Sequence, residues 1–235
     1  MKKGILFGLV FVLAMLGLGA ACSQTTNNGN TAMSQNGMNH NSMMNHNSSM
    51  NMNGMNHNSM PMNSDMSKTS DMKSSPDAAA QPYDLQFIDT MTHHHQGAIE
   101  MAKMALTKSQ NEELKKFAQK IIDDQNKEIA QMKEWRDKWY AGKPMAMNME
   151  MPGMNDSMKM MTGEEMKKME AASGKDFDIH FLDMMTPHHA GAVMMAKDAL
   201  SKAEHPEIKT LAGNIIKAQE AEIKMMNEWK AKWSK

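Results

Sequence analysis

An all-α fold, an antiparallel four-helix bundle assembled from two copies of one helical hairpin, is predicted by three observations. A segment running from Phe87 through Met91 and His93-His94-His95 to Lys103 recurs 94 residues later, from Phe181 through Met185 and Pro187-His188-His189 to Lys197. The register then holds without a gap from Glu113 and Glu207 to Trp139 and Trp233, and about half of the paired positions are identical. A duplication this long means one structural unit used twice. Within each copy, apolar and small residues fall at three-to-four spacing, the period of an amphipathic helix.

Each element follows from this pattern. The first helix places Phe87/Ile88, Met91, Ala98/Ile99, Met101/Ala102 and Ala105/Leu106 on one stripe, with Asp84 as its N-cap and Tyr83 and Ile88 as a hydrophobic staple. Thr107 to Asn111 is a short polar turn, so the next helix packs back antiparallel. That helix carries Leu114, Phe117/Ala118, Ile121/Ile122, Ile129, Met132, Trp135 and Trp139. The second copy turns near Ala203 to Pro206, and Pro206 suits a first helical turn. One hairpin has too little core to stand alone, whereas two together form a bundle. The four tryptophans, Trp135, Trp139, Trp229 and Trp233, are expected to plug one end of it. Gly97 and Gly191 are expected to let helices approach closely.

Flanking and joining these hairpins are segments of a different kind. Residues 1–21 read as an export signal: Lys2 and Lys3, an apolar run from Ile5 to Leu18, then small residues before Cys22. The lone cysteine at that spot favours a lipoprotein, with Cys22 lipidated. Ordinary secretion is the alternative. Residues 22–80 form a tail of Asn, Ser, Met, His and Gly, too poor in branched and aromatic residues to offset chain ordering and therefore expected to be disordered. The hairpins occupy 81–140 and 175–235, and a second Met-rich segment, 141–174, joins them as a flexible tether.

Composition narrows the function. The chain carries a formal charge of −1, which offers nothing to nucleic acid. Beyond the leader, no apolar run is long enough to span a membrane. Methionine is the outlier, with 33 residues, accompanied by ten histidines and one cysteine. His-rich tracts bind metals, and thioethers favour Cu(I) without the disulfide chemistry open to paired thiols outside the cytoplasm. Both Met-rich segments are accordingly expected to act as low-specificity metal traps.

A more ordered site is expected inside the bundle. His94 and His95 interrupt the apolar stripe between Met91 and Ala98, and Gln125 and Glu128 interrupt the stripe of the next helix. Counting equal distances from the turn near residues 109–110 sets His94 and His95 level with Gln125, and Met91 level with Glu128, roughly 20 Å from the turn at 1.5 Å per residue. The second copy supplies Met185, His188, His189, Gln219 and Glu222 at matching positions. Spacing also puts Met91 with His95, and His94 with Met101, on common faces, as it does Met185 with His189 and His188 with Met195. Imidazole, carboxylate and thioether together make a metal-ligand set. The alternative is a neutral hydrogen-bond network that fixes the pairing of the halves. His93, His180 and His205 are expected to face solvent. Pro187, standing where the first copy has His93, is expected to kink its helix and make the two half-sites inequivalent.

The residues Phe87, Met91, His94, His95, Ala98, Met101 and Ala102, followed by Gln125, Glu128, Ile129, Met132 and Trp135, resemble the signature of the CopM-like family of exported bacterial proteins, long described only as a domain of unknown function. Phe181, Met185, His188, His189, Ala192, Met195 and Ala196 repeat it, followed by Gln219, Glu222, Ile223, Met226 and Trp229. The resemblance covers roughly residues 83–139 and 177–233, and His93 stands where the family usually has Pro. It implies a ferritin-like bundle that binds copper or silver through Met and His. The expected ligands are Met91, His94, His95, Met101, Glu128, Met185, His188, His189, Met195 and Glu222.

The combined expectation is a cell-envelope protein, lipid-anchored through Cys22, that sequesters or shuttles Cu(I), with Ag(I) as mimic. Copper-export or copper-chaperone proteins are its expected partners, and no enzymatic activity is expected. A ferritin-like copper or iron oxidase is an alternative, although the Glu-x-x-His motif of di-iron helices is missing from the bundle helices. A methionine-based oxidant sink is a third reading.

Overall fold

The computed structural model describes residues 73–161 and 163–235. The signal, Cys22 and most of the Met-rich tail therefore lie outside the described residues. Six α-helices are present among the described residues: α1 (Tyr83–Lys108), α2 (Glu112–Trp139), α3 (Met154–Met160), α4 (Glu164–Ala171), α5 (Gly174–Lys202) and α6 (Pro206–Trp233). α1 with α2, and α5 with α6, form the two repeated hairpins of an antiparallel four-helix bundle. Their turns fall at the predicted places. Asn111 caps α2, its Oδ1 accepting from the amides of Glu113 and Leu114 at 2.9 and 3.3 Å.

α1 and α5 are the inner pair. Every residue of α1 from Asp84 to Met91 is buried, so that stretch of the helix has no solvent face. α2 and α6 each bury a single stripe, as outer helices do. α1 and α5 run antiparallel, and an exchange of carboxylates shows it. Asp84, at the start of α1, accepts from the amides of Glu204 and His205 at 3.0 and 2.9 Å and faces His205 Nδ1 at 2.6 Å, in the turn before α6. Its repeat counterpart Asp178, at the start of α5, is hydrogen-bonded by Ser109 in the turn before α2. Burial raises the Asp178 carboxyl above its usual range, against the lowering effect of that bond. Asp84 is thus not the N-cap of its own helix. Pro82 holds that place, and Asp84 binds the two amides just ahead of the opposite hairpin's second helix, which has no side-chain cap of its own.

The same antiparallel arrangement separates the tryptophans. Trp135 stacks on Trp139, which stacks in turn on His205 at 3.8 Å between centroids. Trp229 stacks on Trp233 and meets Phe117 edge-on at 5.4 Å. The two pairs therefore sit at opposite ends of the bundle rather than forming one plug, because the repeats are related head to tail. His205, expected in solvent, is half-buried against Trp139 and Asp84. His93 and His180 are half-buried as well.

The largest departure from expectation is segment 141–174. It is a packed part of the fold, not a flexible tether. Asp89 receives Arg136 Nε at 2.7 Å and the amide of Ala146 at 2.8 Å; Thr90 Oγ1 accepts from the amide of Asn148 at 2.9 Å, and Gln86 Oε1 from Asn148 Nδ2 at 2.8 Å. These bonds strap residues 146–148 along α1. The last residues assigned to the tail join the strap, since the amide of Ser75 donates to the Met147 carbonyl and Ser74 Oγ accepts from the amide of Met149. Met149, Met151, Met154, Met158, Met161, Met166 and Met169 are buried in the same core as the bundle. The composition that looks like low complexity is apolar and adaptable. Each buried methionine contributes about 1.5–3 kcal/mol, and its unbranched thioether fills irregular gaps between helices.

Helix α3 seats on α5 through two glycines. A Cβ on Gly191 would lie 1.7 Å from Ser157 Oγ and 2.6 Å from the Gly153 carbonyl oxygen, and Gly153 itself adopts φ +81°. Ser157 Oγ donates to that Gly153 carbonyl at 2.7 Å. Gly191→Ala should therefore destabilise the protein by about 1–3 kcal/mol, the range for over-packing a closed contact. Urea unfolding measures it, and an unchanged midpoint would contradict the seating of α3.

Candidate metal centre

The four paired histidines meet where α1 and α5 pass each other at mid-length. His94 and His188 lie ring against ring, centroids 3.8 Å apart and planes tilted by 35°. His95 and His189 flank them, with centroids 6.3 and 6.4 Å from their chain neighbours. All four rings are buried, with at most 1% of any of these residues exposed. Burial holds the His94 and His188 pKa values well below the usual imidazole range, and the neighbouring histidines push in the same direction. Both rings are neutral and have lone pairs to offer at physiological pH.

The outer histidines are oriented by carboxylates. His95 Nε2 stands 2.7 Å from Glu128 Oε2, and His189 Nε2 stands 3.0 Å from Glu222 Oε2. A carboxylate oxygen accepts, so Nε2–H donates in each pair and Nδ1 is the ring nitrogen left over. This is the outer-shell arrangement that fixes tautomer and orientation in histidine metal ligands. Counting from the turn sets His95 level with Gln125 and Glu128 level with Met91; the Glu128 and Glu222 carboxylates instead reach one helical turn along, to His95 and His189.

What remains is a set of polar atoms with no partner. His94 Nδ1 and Nε2, His188 Nδ1 and Nε2, His95 Nδ1, His189 Nδ1, Gln125 Oε1 and Gln219 Oε1 are all buried and make no hydrogen bond among the described residues. Each such atom costs about 1–3 kcal/mol. A neutral network would satisfy these groups with one another, and it does not. Native interiors seldom carry such a concentration unless a ligand or a functional role accounts for it.

Buried thioethers lie on the same two helices as the paired histidines. Met91 and Met185 are fully buried one helical turn before His95 and His189, and Met101 and Met195 are fully buried two turns beyond His94 and His188. Met132 and Met226 are buried too, their sulfurs facing the hydroxyls of Thr92 and Thr186 at 4.0 and 3.9 Å. Among the described residues, no group of three or more His, Cys, Asp or Glu side chains is arranged to hold a metal ion. The further donors on the four bundle helices are the amide oxygens of Gln125 and Gln219 and the methionine sulfurs.

The two halves are inequivalent, though not in the way Pro187 suggested. α5 is helical without interruption through Pro187, and His188 and His189 are as buried as His94 and His95. The asymmetry comes from neighbours. Lys120 Nζ reaches across from α2 to Glu222 Oε1 at 2.8 Å, whereas the repeat counterpart of Lys120 is Asn214. Burial raises the Glu222 carboxyl, but His189 and Lys120 together outweigh it and hold the group below its usual range. An open cleft between α2 and α6, lined by Lys120, Asn214, Lys217, Ala218, Glu222 and Met225, reaches this carboxylate from solvent.

A family model described as "Domain of unknown function (DUF305)" matches residues 14–136 and again residues 84–230. The chain belongs to the DUF305 family. Among solved structures it is similar to CopM in the Cu(II)-bound form, at 42% identity and TM-score 0.54, over 64% of this chain and 97% of that one. The Cu(I)- and Ag-bound forms of CopM match at 39% and 40% identity with TM-scores 0.53 and 0.52, each over 64% of this chain and 96% of that one. A putative secreted DUF305 protein from Streptomyces coelicolor matches at 31% identity and TM-score 0.57, over 65% of this chain and 93% of that one. Among curated proteins, the uncharacterized protein L153 of Acanthamoeba polyphaga mimivirus is 42% identical over 50 residues, which is 21% of this chain. The chain spans about a third of the length of that relative.

A pH dependence follows from the neutral pair of this DUF305 bundle. The unfolded histidines take up protons as pH falls through about 6.5, whereas His94 and His188 resist protonation in the native state. Stability should therefore be fully present above that pH and decrease below it, by on the order of 1 kcal/mol per histidine between pH 7.5 and 5.5. Urea unfolding at the two pH values measures the loss, and His94→Leu with His188→Leu should flatten the dependence.

Proposed function

We propose that this DUF305 protein is an exported copper-binding protein that sequesters or shuttles Cu(I), with Ag(I) as mimic. The observation that carries the reading is the cluster of six unpartnered imidazole nitrogens at the centre of the bundle, with fully buried thioethers on the same two helices. Neutral imidazole and thioether are soft or borderline donors, and thioether selects Cu(I) over harder ions. The copper- and silver-bound forms of CopM, a relative with this fold, support the choice of metal. Ligands come from His94, His95, His188 and His189 with Met91, Met101, Met185 and Met195, and Glu128 and Glu222 set the outer imidazoles. The protein binds and hands on its ion without turnover. The leader at residues 1–21 and Cys22 support a cell-envelope location with a lipid anchor, where a copper-export or chaperone protein is the fitting partner.

Competition titration of the full chain with Cu(I) should resolve a tight class of site from weaker Met and His sites in the tail. His94→Leu combined with His188→Leu keeps the core apolar and should abolish the tight class while leaving the weak one. Undiminished tight binding in this variant would sink the proposal.

A further inference from the structure

The pseudo-symmetry of the two repeats breaks at the glycines beside the histidine pairs. Gly191 is covered by Ser157 and Gly153, so its side of α5 is closed by α3. Gly97, its repeat counterpart, faces donor atoms instead. A Cβ at position 97 would stand 3.3 Å from His188 Nε2, 3.1 Å from Met161 Cε and 3.8 Å from Met161 Sδ. The missing side chain thus leaves a notch on α1 bordered by an unpartnered imidazole nitrogen and a thioether. His188 is fully buried, and Met161 is 1% exposed.

Met161 is held there by construction. It follows α3 directly, and its amide donates to the Met158 carbonyl at 3.0 Å. α3 is fixed to α5 at the Gly153–Gly191 contact and by Ser157 Oγ, which also lies 3.4 Å from the His188 carbonyl oxygen. The backbone of the imidazole residue and the helix that delivers the sulfur are therefore joined. No residue of the second half presents a thioether at the equivalent glycine, because Ser157 occupies that place.

We propose that Met161 is a metal ligand, binding through Sδ together with His188 Nε2 a soft monovalent ion seated in the notch at Gly97. The segment between the hairpins is then part of the metal site, and it supplies this donor once per chain instead of once per repeat. The inference rests on the copper-binding reading above and adds a ligand from outside the duplicated helices. Binding exchanges two uncompensated buried donors for two metal bonds, and no covalent or redox step is involved.

The test uses the full chain with one equivalent of Cu(I), in competition with a Cu(I) chelator. Met161→Leu keeps the volume and apolar character but removes the sulfur. It should weaken the tight class at least tenfold, and X-ray absorption of the loaded protein should lose one sulfur scatterer. Gly97→Ala, which fills the notch and removes no donor, should weaken the same class. Met194→Leu, at an exposed methionine, should change nothing. If both Met161→Leu and Gly97→Ala bind as tightly as the parent while His94→Leu with His188→Leu does not, Met161 is overturned as a ligand and the bundle site stands. Weaker binding with an unchanged sulfur shell in Met161→Leu would likewise overturn it, as a packing effect. If the histidine variant also keeps tight binding, the copper-binding reading itself falls. Should Met161→Leu fail to fold, as judged by circular dichroism, Gly97→Ala decides: unaltered affinity and sulfur shell there overturn the proposal.

Discussion

The antiparallel pairing of α1 with α5 is the constraint on which the rest of the structure depends. It sets the two copies of one sequence motif against each other at mid-length and brings His94 to within 3.8 Å of His188, centroid to centroid. Two charged imidazoles at that separation in an apolar interior would repel strongly, so both are held neutral. That neutrality costs stability in hydrogen bonds not made. It also leaves lone pairs in a closed space, as a metal site for soft ions requires. The same pairing carries Asp84 and Asp178 to the turns of the opposite hairpins and sends the two tryptophan pairs to opposite ends.

Around this centre the protein spends polar groups unevenly. The outer imidazoles have carboxylate partners, whereas the inner ones have none. A fold selected only for stability would replace such a cluster with apolar side chains, since buried polar groups left unsatisfied weaken a core. Retaining four histidines and two glutamines at one level is the kind of local inconsistency that marks functional sites in otherwise consistent structures. Lys120 adds a difference between the halves, drawing Glu222 further into its ionised form than burial alone would allow. Glu222 is also the more buried of the two carboxylates, its side chain 10% exposed against 21% for Glu128.

Segment 141–174 changes the picture of a repeat protein with a tether. Its ordering depends on a few buried bonds to Asp89, Thr90 and Gln86 and on methionines that pack against the bundle. The repeat relation exposes how this came about. Asp89 and Arg136 correspond to Asp183 and Lys230, but the first pair is turned inward to hold the strap while the second lies in partly exposed positions. One copy of a duplicated ion pair has become a scaffold for the linker, and the other remains a surface contact.

The sequence by itself determined the helices, the turns and the level at which polar residues gather, because those follow from periodicity and from counting along the chain. That His95 and Glu128, and His189 and Glu222, gather near one height was legible for that reason, but the count matched Glu128 with Met91, and the reach of each carboxylate one turn along to its imidazole was not. Contacts between hairpins were not legible. The stacking of His94 on His188, the reach of Lys120 to Glu222 and the bonding of Asp84 to the turn before α6 depend on how two similar units dock, and nothing local encodes their relative direction. Met161 was hidden for a different reason. In a segment rich in methionine, no spacing distinguishes a core side chain or a ligand from a solvated one, and only the packing of α3 against Gly191 decides where that sulfur lies. The tertiary structure therefore decided which donors face one another, since docking geometry is set by the shapes of the buried surfaces and not by the period of either helix.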